Sequence, residues 1–409
     1  MSDVWAEAQC NLARAAEIMK LEPELTERLM RPQSFTEFTV PLRLDDGRKK
    51  IFVAYRCRHQ DAVGPTKDGT RIRPDLTPGE IKALALFMSV KHAVADIPAG
   101  GGKGGIEADP AALSEGEYER LIRGFMRRLT PKGAFRDVPG ADLGTDARAM
   151  AWMLDEYEQI SGFHAPAAVN DKPFELGGSR GGHEATGWGV AAAAGLAAAE
   201  LGLKNPSAVV QGFGQVGSVA ALTLAERGFR IVAVSDVHGA VADPAGLDVA
   251  ALAAHVLKTG RVPGFPGGRP ADPETILETD CQVLVPAAVQ DVLTAANAGR
   301  VKAGLVVEAA NAPVSPEADE IFERRGVTVV PDVVANCGGA VVCDFERTQG
   351  LSNDWWPLAT VRERLEKRLV GAYAESRAAA REFGTSLRRG AWIKALRRIR
   401  AALLWRGWS

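Results

Sequence analysis

The chain has 409 residues, of which 46% are hydrophobic and 24% charged, with a formal net charge of -2 at pH 7. That length allows two domains with sizeable cores, and the ordinary balance of apolar and charged residues excludes a disordered or fibrous protein. So small a net charge supplies no general pull toward nucleic acid or acidic membranes, and small molecules are the expected partners.

The N-terminal stretch "MSDVWAEAQCNLARAAEI" breaks its apolar residues with Asp3, Glu7, Arg14 and Glu17, unlike a signal peptide. From Phe35 to Arg58 the residues alternate as strands do: "FTEFTVPLRL", a turn through Asp46-Gly47, then "KKIFVAYRCRH" with Ile51, Val53, Tyr55 and Cys57 on one face. A β-hairpin is predicted. "LTPGEIKALALFMSVKHAVADI" follows, with Thr77 as cap, Pro78 at the first helical position and Glu80 closing a capping box. Apolar nearly all round, this helix is expected to be buried.

"PAGGGKGGI" then sets Lys103 among five glycines. A phosphate-binding loop would need Ser or Thr directly after the lysine, and Gly104 stands there. A glycine loop around an amine remains. Lys91, on the helix stripe with Leu84 and Met88, needs an anion if it is buried, and Lys67 lies in the turn-like "GPTKDGTR". Packed together, three ammoniums would depress one another's pKa and leave one partly neutral, which makes a base. The alternative is three independent surface lysines. In "RDVPGADLGTDARAMAWML", Asp142 precedes a helix expected to be capped near Thr145, where it is either a capping residue or the proton-exchanging partner of a lysine.

The run "GVAAAAGLAAAELGL" contains Glu200 and is too short to span a bilayer. Beyond it, Val- and Ile-rich segments at 207–211, 230–236, 281–287, 304–311 and 326–332 alternate with helical patterns, which predicts a parallel sheet covered on both faces. Gly212-x-Gly214-x-x-Gly217 follows the first of them, and the next ends at Asp236, where an acid hydrogen-bonds an adenine ribose. A dinucleotide site is predicted there, formed by Gly212, Phe213, Gly214, Gln215, Val216, Gly217 and Asp236. Asn311 and Asn336, at the ends of later strands, are either contacts for the nicotinamide end or turn residues. The last helix, "LRRGAWIKALRRIRAALLWRGW", is basic and amphipathic, and packing onto the protein is favoured over a membrane or RNA. Cys10, Cys57, Cys281, Cys337 and Cys343 form no Cys-x-x-Cys pair or metal-ligand group, which points to a reducing compartment, no metal site and a cytoplasmic protein.

In order and spacing, "GPTK", "PDLTPGEIKALALFMSVKHAV", "PAGGGKGG", "VPGADLGT", "ELGGSRGGHEATGWGV", "QGFGQVG" and "PDVVANCGG" resemble the glutamate, leucine, phenylalanine and valine dehydrogenases over essentially the whole chain. The resemblance implies an α/β protein: an N-terminal substrate and oligomerisation domain (1–182), a doubly wound Rossmann-type dinucleotide-binding domain (183–384), and a C-terminal helix (385–409) packing back near the hinge. It implies NAD or NADP as cofactor, an amino acid, 2-oxo acid and ammonia as ligands, and a homohexamer. By the same resemblance Lys103 is the catalytic base and Asp142 its proton-exchanging partner. Lys91 would bind the α-carboxylate, Lys67 and Cys343 the distal carboxylate of glutamate, and Thr186 the substrate. Two departures bear on specificity: Asp68 stands where the family has glycine, and Cys343, followed by Asp344, stands where it has serine. The expected activity is reversible oxidative deamination of L-glutamate. The alternatives are an amino-acid dehydrogenase of different side-chain specificity and a catalytically silent dinucleotide-binding protein.

Overall fold

The computed structural model describes residues 4–130 and 137–408. Residues 1–3, 131–136 and 409, which belong to the predicted domain ranges, lie outside the described residues. The chain divides into two compact units, one of Met1–Arg180, Ala340–Val361 and Trp392–Ser409, the other of Gly181–Gly339 and Arg362–Ala391.

The first unit begins with α1 (Val4–Ile18), α2 (Pro23–Leu29), β1 (Ser34–Arg43), β2 (Lys49–Gln60) and β3 (Thr66–Ile72). It continues with α3 (Pro78–Val94), β4 (Gly100–Ile106), α4 (Glu115–Leu129), β5 (Asp137–Ala141) and α5 (Ala147–Ser161). β1 and β2 form the predicted hairpin, in register from Ser34 opposite Arg58 to Arg43 opposite Lys49. The sheet order is β1-β2-β4-β3-β5, with β4 antiparallel to β2 and parallel to β3. Phe52, Ile72 and Ile106 of the sheet pack with Leu121, Phe125 and Met150 of α4 and α5. α3 starts as predicted, with Thr77 accepting from the Glu80 amide. The box does not close: the Glu80 carboxylate instead takes Arg71 and Arg73, each at 2.7 Å. α5 is capped where expected, beside Thr145, by Asp146, which accepts from the Ala149 amide.

The glycine stretch is not a loop. It is β4, an interior strand with every residue buried. Alternation along the strand turns Gly101, Lys103 and Gly105 to one face. A methyl group on Gly101 would collide with the Ala85 carbonyl and the Ser89 amide of α3, and one on Gly105 with Leu76 and Ile81. The absent side chains let α3 lie against bare backbone. The Gly101 amide donates to Ser89 Oγ at 3.1 Å, and His92 Nδ1 meets the Gly100 carbonyl at 2.9 Å. Lys103 is thereby fixed on a packed strand.

The second unit contains α6 (Ala185–Glu200), β6 (Ser207–Gln211), α7 (Gln215–Glu226), β7 (Arg230–Asp236), β8 (Gly239–Ala242), α8 (Val249–Thr259) and β9 (Arg269–Ala271). Then come β10 (Val283–Pro286), β11 (Leu305–Val307), α9 (Pro316–Arg325), β12 (Thr328–Val330) and α10 (Asp332–Ala335). The sheet runs β12-β11-β10-β6-β7-β8-β9. The five predicted runs are its five parallel strands, while β8 and β9 extend one edge in antiparallel fashion. Strand order reverses at β6, between β7 and β10, and this switch point is where a doubly wound sheet binds its ligand.

Three helices complete the chain: α11 (Gly338–Ser352), α12 (Leu358–Glu382) and α13 (Leu387–Trp405). Residues 340–361, assigned from sequence to the dinucleotide domain, cluster with the first unit. Asn170 Nδ2 donates to the Cys343 carbonyl at 2.8 Å, and Lys172 forms an ion pair with Glu346. Residues 385–391 cluster with the second unit, where Arg388 holds Glu308 at 2.7 Å and Asp319 at 3.0 Å. From Trp392 on, the basic tail is engaged within the first unit: Lys394 Nζ donates to the Val94 carbonyl at 2.7 Å, and Arg406 to the Ala62 carbonyl at 2.7 Å. No described helix is long and apolar enough to cross a membrane.

Candidate active site

Lys103 is the centre of a buried polar cluster in the first unit. The residue is 5% exposed, and its Nζ lies between Asp68 Oδ2, at 2.6 Å, and Asp142 Oδ2. Asp142 reaches the lysine from the turn between β5 and α5, where its other oxygen accepts from the Leu143 amide at 2.6 Å and from Arg71 at 3.2 Å. Arg71 in turn is held by Glu80 of α3. Behind Asp68, Arg56 donates from Nη1 to its carbonyl at 2.9 Å while gripping both oxygens of Asp137 through Nε and Nη2.

These partners reverse the predicted state of the lysine. Burial alone would push the Lys103 pKa down, but the charges of Asp142 and Asp68, with their hydrogen bonds, outweigh it and raise the pKa above the ordinary value. Burial likewise opposes ionisation of Asp142, and the charges of Lys103 and Arg71 overcome it, holding that carboxyl far below its usual range. Asp68 is also held low, burial again being overcome by Lys103. The resting cluster is therefore an ammonium between two carboxylates, not a lysine neutralised by its neighbours.

Lys67 is 2% exposed and follows Thr66 at the start of β3, opposite Gly101 of β4. Five described Lys and Arg residues of the first unit are buried: Arg56, Lys67, Lys103, Lys172 and Lys394. All except Lys67 have a carboxylate within ion-pair distance among the described residues. Lys91 is half-buried near the end of α3. Lys67, Asp68 and Lys91 all lie close enough to act on the charge of His92, whose pKa is pushed down to about 3, by burial first and by Lys67 second. Cys343 joins this neighbourhood from α11: its Sγ donates to Asp171 Oδ1 at 3.0 Å, and burial first, then Asp171, raises its pKa well above the thiol's ordinary value.

The structure thus gathers Lys67, Lys91, Lys103, Asp142 and Cys343 in the first unit. Sequence reasoning missed Arg71 and the pairing of Asp68 with Lys103. One signal was present: an acid in "GPTKDG" at a place the family gives to glycine.

The other predicted residues lie in the second unit. Gly212 adopts φ +92, which is open to glycine, and a methyl group there would stand 2.9 Å from the backbone of Ala287 and Ala288 after β10. One on Gly217 would strike the Gly212 carbonyl, whereas Gly214, exposed as the cap of α7, has nothing within 4 Å. Phe213 is buried, Val216 half-buried, and Gln215 donates to the His183 carbonyl at 3.0 Å. The result is a bare backbone turn, open at Gly214, aimed from a helix N-terminus. That is the cradle a pyrophosphate needs, so the residues fit a dinucleotide. Asp236, at the end of β7, accepts from the amides of His238 at 2.8 Å and Val262 at 2.6 Å, which fixes its carboxylate at the rim. Asn336 Nδ2 donates to Asn311 Oδ1 at 2.9 Å and so orders the turn after β11. Thr186 sits in the first turn of α6, beside Gly339. Among the described residues, no group of three or more His, Cys, Asp or Glu is arranged to hold a metal ion.

Comparison with known proteins bears on both units. A model of the Glu/Leu/Phe/Val dehydrogenase dimerisation domain matches residues 32–159, and a Glutamate/Leucine/Phenylalanine/Valine dehydrogenase model matches residues 177–407. The glutamate dehydrogenase of Thermotoga maritima is 44% identical over 398 residues, covering 96% of each chain. Among solved structures, the leucine-bound hetero-hexameric glutamate dehydrogenase of Thermus thermophilus superposes with a TM-score of 0.92 at 37% identity, over 99% of this chain and 97% of that one. The glutamate dehydrogenase of Peptoniphilus asaccharolyticus does so with a TM-score of 0.91 at 34% identity, over 99% and 100%.

Proposed function

This chain belongs to the glutamate/leucine/phenylalanine/valine dehydrogenase family, and we propose that it catalyses the reversible oxidative deamination of L-glutamate to 2-oxoglutarate and ammonia. Its cofactor is a nicotinamide dinucleotide, which when bound exchanges a hydride with the substrate Cα. The observation that carries the choice of glutamate is Lys67, a buried ammonium with no carboxylate of the chain in ion-pair range among the described residues. A buried cation of this kind asks for an anion from outside, and the distal carboxylate of glutamate supplies one. An apolar amino acid would leave it unmatched.

Lys91 binds the α-carboxylate in this reading, and Thr186 contacts the substrate. Lys103 is the base: it gives up its proton, then uses the free amine to activate water against the imine, and Asp142, already in contact with Nζ, exchanges protons with the departing ammonia. Because the resting amine is protonated, the deamination rate should rise with pH as that proton leaves. For the cofactor, Asp236 favours NAD, since a fixed carboxylate repels a 2′-phosphate. A cytoplasmic homohexamer is the proposed working form; the dimerisation-domain match supports an oligomer and the hetero-hexameric relative supports six subunits.

A second reading, a dehydrogenase for another side chain, draws on Cys343. Its thiol donates to Asp171 and therefore does not offer that proton to a distal carboxylate. Initial rates of NADH and NADPH oxidation with ammonia and a panel of 2-oxo acids separate the two. 2-Oxoglutarate should dominate. A preference for an apolar 2-oxo acid would transfer the assignment to the second reading, and no turnover with any of them would leave a silent dinucleotide-binding protein.

A further inference from the structure

Asp68 is the anomaly of the cluster. Of the eight described non-glycine residues with positive φ, seven lie between +46 and +60, and only Asp68, at +148, lies far from the left-handed turn conformation that Asn and Asp tolerate. The backbone is pinned there: Thr66 to Thr70 run parallel to β5, Asp68 pairs with Pro139, and Arg56 holds the Asp68 carbonyl. A side chain on such backbone is costly to keep, and this one goes directly to Lys103.

We propose that Asp68 is a positioning residue for Lys103, a built-in counter-anion that holds Nζ against Asp142 and delays loss of its proton to higher pH. The inference rests on the reading of Lys103 as the base. Its geometric support is the two-sided clasp, in which either carboxylate alone would leave the amine free to swing about the other. Of the surrounding charges only Asp142 acts on Lys103 in the same sense, and more strongly, so Asp68 adds to it rather than acting alone. Asp142 is shared with Arg71, which also binds Glu80 of α3. Asp137 of β5 is committed to Arg56 of β2. His92 of α3 is uncharged at working pH, and Lys67 and Lys91, being cations, act in the opposite sense. Asp171 serves Cys343. Asp68 is therefore the second carboxylate on Lys103, and Lys103 is its one described side-chain ion-pair partner.

The test uses Asp68→Asn, which keeps the side-chain size and the backbone constraint, and Asp68→Gly, which releases both. Competitive acylation of the full-length protein with acetic anhydride, followed by peptide mapping, reads the pH midpoint at Lys103 with no substrate present. The acid limb of kcat/KM for L-glutamate oxidation is followed in parallel. In both variants the Lys103 midpoint should fall by about one unit or more, and kcat/KM on the limb should rise by about tenfold. An unchanged midpoint in both overturns the inference, and so does a fall in Asp68→Gly alone, which would assign the effect to backbone strain. A fallen midpoint with an unmoved limb supports the coupling of Asp68 to Lys103 and refutes Lys103 as the base, so the two failures are distinguishable.

Discussion

Replacing Gly101 by alanine should open the packing of α3 on β4. The new methyl would lie within contact distance of the Ala85 carbonyl, the Ser89 amide and Ser89 Oγ. Two of these are helix backbone, so no side-chain rotation relieves the clash, and helix and strand must separate by roughly 1 Å to restore normal contact. Overpacking of this kind costs about 1–3 kcal/mol. Separation also breaks the 3.1 Å bond from the Gly101 amide to Ser89 Oγ, which adds about 1 kcal/mol. A total of about 3 kcal/mol lowers Tm by roughly 6–12 °C at 2–4 °C per kcal/mol for a unit of this size. Thermal unfolding followed by circular dichroism and tryptophan fluorescence measures the shift, and hydrogen exchange should localise lost protection to α3 and β4. Gly371 is the control. Inside α12 with nothing within 4 Å of its Cβ position, it should gain about 0.5–1 kcal/mol on becoming alanine. A Gly101→Ala protein melting within a degree or two of the parent would refute the packing argument.

Two further expectations concern other parts of the chain. Gly214→Ala should leave Tm unchanged, because nothing lies within 4 Å of its Cβ position, and weaken NADH binding if the turn cradles the pyrophosphate as proposed, whereas Gly217→Ala should lower Tm even without cofactor by striking the Gly212 carbonyl; equal NADH affinity in Gly214→Ala and the parent, by calorimetry, would remove the cradle. His92, pushed down to about 3 in the folded state, takes its proton near pH 6.5 when unfolded, so its contribution is complete above pH 6.5 and is lost as the pH falls toward 3. His92→Asn retains a donor for the Gly100 carbonyl and has no such titration, so the stability gap between parent and variant should change as pH drops from 6.5 to 4, the parent losing more. Parallel pH curves would contradict this.

Elements with a strong period were legible. The β1–β2 hairpin and the five parallel strands fall where alternation and apolar runs put them, because burial of one or both faces dictates those patterns. β4 was misread because glycine usually punctuates a chain, and its use here depends on α3 approaching within backbone contact, a tertiary fact with no local signature. β8 and β9 read GAVA and RPA and carry no run of Val and Ile, unlike the equally short β10, β11 and β12, so they left no pattern to detect. At the site, the lysines stood out by their surroundings in sequence, but the carboxylates that set their charge come from different segments. Weighing the like charges of Lys67, Lys91 and Lys103 above the carboxylates of Asp142 and Asp68 yielded the wrong sign for the pKa of Lys103.

The same charge count leads to a last expectation, for Lys67→Met. In the first unit the buried cations Arg56, Lys103, Lys172 and Lys394 are matched by carboxylates, and Lys67 is the described exception. Burying an ion without its counter-ion costs several kcal/mol, part of it relieved by relaxation and water, and Met replaces the ammonium at similar volume with an apolar group. The free Lys67→Met protein should therefore be more stable than the parent, by about 1 kcal/mol or more. Glutarate, a dicarboxylate with no amine to react, should raise the Tm of the parent and leave the variant unmoved, because the anion Lys67 lacks is then supplied in one protein and unwanted in the other. The activity of the variant toward L-glutamate should fall by 10²-fold or more, the order expected on losing one partner of a buried charge pair, while any activity toward apolar amino acids is spared. A destabilised Lys67→Met, or a glutarate shift of equal size in both proteins, would mean that the ammonium is satisfied within the chain, and the case for a distal carboxylate would go with it.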